Sequence, residues 1–381
     1  MLFLLHRYLF RQISTATALA LALFVFVLLL GNAMGDIFGL MLAGKLDALL
    51  CFKLVALLIP YVSVYALPLG MLAGTLMAMG RLSSQNEITA MKSAGLGLGQ
   101  LTSPVFLLAS LGVVVGLIIN LHYAPQSRAA YKGLIASAVT ENPLSFIEPR
   151  RFINEFPGAV IYAGNREGAL LNDVWFWKLN DDREVELFIR GRAGKIDYRE
   201  SENAMTLTLM DGTTEQRKTG GEAGFKNAEF NMLDFGELSF EWSLNSVVET
   251  QATQPTKLKY LTFAQKMAHR KQLIASEIAA GTGLSKERVQ LQFHLQQNCA
   301  YAFSVFSLAM FAIPLAIRVG RHESYANLAL ALVVALIFYS LMISVNWLQG
   351  IDWLRPDLLI WLPNILFQSL GIYLLARTNR H

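Results

Sequence analysis

The chain has 381 residues, of which 54% are hydrophobic and 16% charged, whereas a soluble domain carries about 25% charged residues. That deficit excludes an ordinary soluble domain and points to lipid. The net charge of +4 calls for no nucleic-acid partner, and the two cysteines, Cys51 and Cys299, fit no metal or redox spacing and read as small apolar residues.

Taken in chain order, six stretches are long and apolar enough to cross a hydrocarbon core, which takes about 20 residues at a rise of about 1.5 Å each. They run approximately Ile13 to Met34, Leu54 to Met79, Pro104 to Leu121, Asn298 to Ile317, Ala326 to Trp347 and Asp357 to Ala376. Charged side chains are absent from them except at the edge of the last. A charge at the bilayer centre is costly, and Pro60 and Pro68 are tolerable because neighbouring helices satisfy the freed carbonyls. The first stretch follows Arg7 and Arg11 like a secretory signal, but its apolar run is too long for one, so it reads as an uncleaved signal anchor.

Loop charge sets the orientation, with the long insert left out of the count. Arg7, Arg11, Arg81, Lys92, Arg318, Arg321, Arg377 and Arg380 fall on one side, and only Lys45, Lys53 and Arg355 on the other. Both termini are therefore expected in the cytoplasm, and the segment from about Pro125 to Gln297 across the membrane.

Within that segment the apolar pattern changes to alternation, the period of a strand. Candidate strands are Ala159 to Ala163, Asp173 to Leu179, Val185 to Ile189, Met205 to Leu209 and Glu229 to Trp242. Turn residues separate them at Gly164-Asn165, Asn180-Asp181-Asp182, Asp211-Gly212 and Gly220-Gly221. The expected domain is all-β: a sandwich, a jelly roll or a curved sheet. A polar stretch from Glu249 to Lys257 and a helical segment from Thr262 to about Gln297 lead back to the membrane. The fold class is thus an α-helical membrane protein with six transmembrane helices and an inserted β domain. Residues 1–124 hold the first three spans with a loop helix at 81–99, residues 125–297 the insert, and residues 298–381 the last three spans.

Catalytic patterns are missing. Gly39, Gly44 and Lys45 begin a phosphate-cradling pattern, but Leu46 stands where a hydroxyl must meet Mg²⁺. The six histidines are scattered, with no metalloprotease or nucleophile-elbow motif. No catalytic residue, metal site or cofactor is assigned to this chain. The loop from Arg81 to Gln100 is more informative, reading as a short amphipathic helix closed by glycines. Ser84 and Glu87 have the spacing of a capping box. The capping box alone explains both residues; the functional alternative is that the helix docks into a groove of a cytoplasmic partner, with Glu87 meeting a basic group there. Ion-driven carriers usually hold ionisable groups inside their spans, and these spans have none centrally placed. Any transport would then draw its energy from a separate cytoplasmic protein.

The chain resembles the LptF/LptG (YjgP/YjgQ) permeases of the lipopolysaccharide export ABC transporter over essentially its whole length. The resemblance is carried by Gly80-Arg81-Leu82-Ser83, Asn86-Glu87-Ile88-Thr89-Ala90, Ala94-Gly95, the stretch Asn120 to Pro125, and Ala193-Gly194 and Asp211-Gly212 in the insert. It continues in Phe311-Ala312-Ile313-Pro314-Leu315 and Trp361-Leu362-Pro363-Asn364.

This resemblance implies a permease subunit, not an enzyme, in the bacterial inner membrane. Glu87, with Asn86, Arg81 and Ser84, would engage an LptB-type ATPase dimer, which would hold the ATP and Mg. The insert would be a periplasmic jellyroll continuing toward LptC- and LptA-type jellyroll proteins. The other implied partners are a second LptF/LptG-type permease, lipopolysaccharide and membrane lipid. Lys45, Lys53, Arg128 and Lys132 could meet lipid phosphates, though snorkelling cations anchor ordinary spans in the same way. Two other classes remain open at this stage: a non-transporting scaffold whose β domain binds a protein, and an ion-driven carrier.

Overall fold

The computed structural model describes residues 2–42, 47–141, 147, 149–153, 159–179, 185–199, 204–217, 230–243, 258–280, 285–319, 324–348 and 355–379. They fall into a helical unit, Met1–Ile37, Phe52–Ala129 and Lys257–His381, and a second unit, Phe38–Cys51 and Ala130–Thr256, that holds a β-sheet. Lys45, the turns at 180–182 and 220–221 and the polar stretch 249–257 lie outside the described residues.

Continuous apolar runs make long helices here because, without water, every backbone group must bond inside its own segment. The helices are α1 (Leu2–Leu42), α2 (Ala48–Ser84), α3 (Glu87–Ser93), α4 (Leu98–Ile118) and α5 (Ala124–Glu141), then α6 (Phe263–Ala280), α7 (Lys286–Val319), α8 (Ser324–Trp347), α9 (Pro356–Leu359) and α10 (Leu362–Asn379). Six stretches among them are long and apolar enough to cross a membrane: Leu4–Asn32, Ala48–Ser84, Leu98–Ile135, Glu287–Arg318, Asn327–Trp347 and Pro356–Thr378. The six expected spans are therefore present.

One boundary differs from expectation. The fourth span does not start afresh at Asn298, because α7 runs unbroken from Lys286. No Gly or Pro interrupts residues 286 to 313, and the polar first turns bury Leu291, Phe293 and Leu295. The segment expected from Thr262 to Gln297 is thus two helices: α6, and the first turns of α7.

The core of the helical unit joins Leu9 and Ile13 of α1, Leu72, Leu76 and Met79 of α2, Val105 and Ala109 of α4, and Ala312 and Ile313 of α7, with Phe338 of α8 and Phe367 of α10. Lipid offers no hydrophobic drive between helices, so close approach and polar contacts hold them together. Gly70 and Gly74 permit that approach: a Cβ on Gly70 would lie 2.8 Å from Leu21 Cα, and one on Gly74 would overlap the Thr17 backbone. Between α7 and α10, Asn364 Oδ1 accepts from the Ser307 hydroxyl at 2.9 Å while Asn364 Nδ2 donates to the Ala300 carbonyl at 2.9 Å. Gln368 Nε2 donates to the same Ser307 oxygen at 2.9 Å. Where α4 meets α5, the chain widens into a π turn, Ile119–Tyr123. There the buried Asn120 donates to the Asn298 carbonyl at 3.1 Å.

In the second unit, β1 (Phe152–Ile153), β2 (Ala159–Glu167), β3 (Leu170–Leu179), β4 (Val185–Arg199), β5 (Ala204–Arg217) and β6 (Phe230–Ser243) form one antiparallel sheet in sequence order. The expected β domain is present as this meander. Several strands are longer than expected, and two presumed turns lie inside them. Gly164-Asn165 continues β2, and Asp211-Gly212 continues β5 with Asp211 at φ 49°. A Gly there is needed because a Cβ on Gly212 would overlap the Arg190 carbonyl and the Phe235 ring. Such Gly positions bend a strand rather than end it.

The bend is large. Phe176 on β3 and Phe240 on β6 stack with ring centroids 5.7 Å apart and planes 14° apart. Across a flat sheet these strands would stand about 14 Å apart, so the sheet curls and its inner faces oppose. That inner face is apolar: Ile161, Val174, Phe176, Ile189, Ile196, Leu207 and Leu209 are all buried. On its outer strand edge, β6 has no partner among the described residues.

Candidate functional site

Helix α3 is short, and its ends show how the sequence builds it. Asn86 turns the chain with φ 59° and ψ 13°, a left-handed conformation that asparagine tolerates better than most residues. At the other end Gly95 takes φ 88°. The Gly95 N–H donates to the Lys92 carbonyl at 3.0 Å and the Leu96 N–H to the Met91 carbonyl at 3.2 Å, the double closure of a Schellman end. Leu96 and Met91 both pack on the helical core.

The capping box expected from Ser84 and Glu87 is absent. No side chain caps α3. The Ser84 hydroxyl instead donates to the Arg81 carbonyl at 2.9 Å, one turn back on α2. The left-handed Asn86 separates the two helices and takes the cap position, so Ser84 belongs to the end of α2 and not to the start of α3.

Glu87 has a different partner. The Tyr8 hydroxyl of α1 donates to Glu87 Oε2 at 3.1 Å and lies 3.4 Å from Oε1. Tyr8 is oriented in turn by Gln12, whose Nε2 donates to the phenolic oxygen at 2.6 Å. One residue further along α3, Ile88 is 4% exposed and sits in the core of the helical unit with Leu9, Ile13 and Leu82. The short helix is therefore bolted down by an apolar side chain while its carboxylate lies half-buried at the surface. Arg81 is exposed and within electrostatic reach of the Tyr8 hydroxyl, and Asn86 is exposed. Glu87 and Arg81 thus gather around Tyr8.

This end of α2 is also clamped from the far half of the chain. Ser83 donates to the Ile317 carbonyl of α7 at 3.0 Å. Gly80 lies so close to Asn327 of α8 that a Cβ there would overlap its side-chain amide. Contacts thus tie α3 to α1, and the end of α2 to α7 and α8.

Arg128 of α5 stacks its guanidinium 4.6 Å from the Tyr61 ring centroid and 5.6 Å from that of Tyr260, a cation–π shelf that leaves its N–H edge for other acceptors. Behind it, Tyr65 lies 6.1 Å from Tyr61, 5.5 Å from Tyr301 and 6.0 Å from Tyr339, centroid to centroid. Lys53 is exposed on α2, and Lys132 is half-buried on α5.

Sequence reasoning missed Tyr8, Gln12, Tyr61 and Tyr260. Tyr8 and Gln12 stand four residues apart, on one helix face, and that spacing is the only signal that linked them. Among the described residues no group of three or more His, Cys, Asp or Glu could hold a metal ion.

A family model described as "Lipopolysaccharide export system permease LptF/LptG" matches residues 7–377. The chain is similar to the lipopolysaccharide export system permease protein LptF of Escherichia coli strain K12, with 21% identity over 345 residues, covering 89% of this chain and 85% of that protein. The protein of the same name from Shigella flexneri matches with the same identity and coverage.

Proposed function

The chain belongs to the LptF/LptG family of lipopolysaccharide export permeases, and on that premise we propose that it is one permease of a two-permease, ATP-driven exporter. In this reading it extracts lipopolysaccharide from the inner membrane, with both termini and α3 in the cytoplasm and the curved sheet in the periplasm. The relatives reported above carry the LptF name, which supports the LptF side of the pair.

The observation that carries the reading is α3. Its apolar residue Ile88 is locked into the core of the spans while Glu87 faces outward beside it. A separate ATPase that grips Glu87 through a basic group, and closes on ATP, would move α1, α2, α7 and α8 as a set. The ATP and Mg belong to that partner. The spans of two such permeases would enclose the lipid. Arg128, held flat on Tyr61 and Tyr260, would offer its guanidinium to a headgroup phosphate, with Lys45, Lys53 and Lys132 as further cations. The curled sheet would then receive the acyl chains on its apolar inner face, as a jellyroll open at one side. The edge of β6, which has no partner among the described residues, fits continuation by a strand of an LptC- or LptA-type jellyroll.

The test is Glu87→Ala and Glu87→Lys in the intact complex, reading co-purification of the ATPase and lipid-stimulated ATP hydrolysis. Both fall if the assignment is right, Lys more than Ala because it repels a basic partner group. Wild-type values for both variants would sink it.

A further inference from the structure

Glu87 is already engaged in the chain on its own, and the geometry of that engagement has a consequence for docking. The Tyr8 hydroxyl sits at 3.1 Å and 3.4 Å from the two carboxylate oxygens, so it straddles them. A guanidinium fork that binds a carboxylate through two parallel N–H bonds needs that same position between the oxygens. Tyr8 and such a fork cannot hold Glu87 in this way at once. Tyr8 is also accessible, at 43% exposed, so an incoming group can reach it. Gln12 keeps it in place by donating to its oxygen, which leaves the phenolic proton aimed at Glu87.

We propose that Tyr8 is a latch on the coupling helix: it holds the Glu87 carboxylate against α1 when no partner is docked, and surrenders it to a basic group of the ATPase on docking. The proposal rests on the coupling role of Glu87 and adds a competitor to it. The exchange swaps one donor for another on the same carboxylate acceptor, with no bond broken except hydrogen bonds. Its mechanical result is that docking frees the Tyr8 end of α1 from α3, while Leu9 and Ile13 keep α1 packed on the core. Tyr8 is a positioning residue, since it acts through Glu87.

The experiment is a double-mutant cycle in the full complex of this chain, the second permease and the ATPase of the same organism, measuring ATPase dissociation in lipid nanodiscs. Tyr8→Phe keeps the ring and removes only the competing hydroxyl. ATPase binding is expected to tighten about three- to tenfold, the worth of one net hydrogen bond. In a Glu87→Ala background the same change is expected to leave binding unaltered, because the carboxylate being competed for is gone. A Tyr8→Phe effect of equal size in both backgrounds marks a merely structural residue and overturns the latch, as does no change or a weakening with Glu87 present. Glu87→Ala binding as tightly as wild type overturns the coupling role itself, a failure distinguishable from the latch failing because it is read without touching Tyr8.

Discussion

Phe176 and Phe240 stack at 5.7 Å although β3 and β6 are separated by two intervening strands. The contact closes an apolar inner face that includes Ile189, Leu207 and Leu209. On the opposite face of the same sheet, Trp177 lies 5.7 Å from Phe152 and 5.2 Å from Phe188, centroid to centroid.

The two faces should therefore behave differently toward lipid. A photocrosslinking residue at Leu207 or Leu209 is expected to capture lipopolysaccharide during export in intact cells, and one at Trp177 is not. Lipid adducts of equal yield from both faces would remove the sheet's interior from the transport path. Phe176→Ala should also cost the sheet unit roughly 3 to 5 kcal/mol, seen as faster proteolysis of β3 to β5.

The Asn364 network should hold α10 to α7. Asn364 is 1% exposed, and both halves of its amide are satisfied by Ser307 and the Ala300 carbonyl. Asn364→Leu removes both interhelical bonds of the amide, leaving the Ala300 carbonyl only its bond within α7, and is expected to cost about 1 kcal/mol. Gln368→Leu, which still leaves Ser307 its bond to Asn364, should cost less. Thermal midpoints of the purified protein in one detergent rank the two, and a reversed order would contradict the network.

Lys266 gives a pH dependence of unusual sign. Burial lowers its amine from the ordinary 10.5 to about 8, with only weak opposition from Cys299. Below pH 8 the folded and unfolded chains both carry the proton, and the fold bears the full cost of a buried charge. Between pH 8 and 10.5 the unfolded chain binds more protons, so stability rises with pH through that window. Lys266→Met should raise the thermal midpoint at pH 7 and flatten the rise above pH 8. A midpoint lowered at pH 7 would show that the charge has a stabilising partner instead.

At the other end of α6 stability again rises with pH, but in acid and because a charged form is favoured by its partners rather than penalised by burial. Glu277 is held at about 2, below its ordinary 4.5, chiefly by hydrogen bonds from Ser285 and then by Arg288. The Ser285 N–H donates to Oε1 at 2.9 Å and Arg288 to Oε2 at 2.8 Å. The folded value is depressed, so the contribution is complete above about pH 4.5 and is lost as pH falls toward 2. Hydrogen-exchange protection at the start of α7, taken relative to the intrinsic rate at each pH, is expected to fall over that range in the wild type. In Glu277→Gln it should be low already at pH 6 and change little with acid.

What could be read from residue order follows from what each solvent demands. A hydrocarbon core requires continuous apolar runs, and a half-buried sheet requires alternation, so six spans and a β insert were visible without coordinates. Strand lengths were not, because Gly164-Asn165 and Asp211-Gly212 have turn composition and yet sit within strands. Ser84 and Glu87 have capping-box spacing, but whether they cap depends on one backbone angle, that of Asn86.

By itself the sequence determined where lipid, water and strand pairing would lie, because those depend on local composition and period. Only the tertiary structure decided what Glu87 touches, since Tyr8 is 79 residues away and no local rule connects them. It likewise decided that the sheet curls, because the stacking of Phe176 on Phe240 depends on bends accumulated over every strand between them. Local free energies select the elements; the contacts that link one element's motion to another are made across the chain and appear only when it has folded.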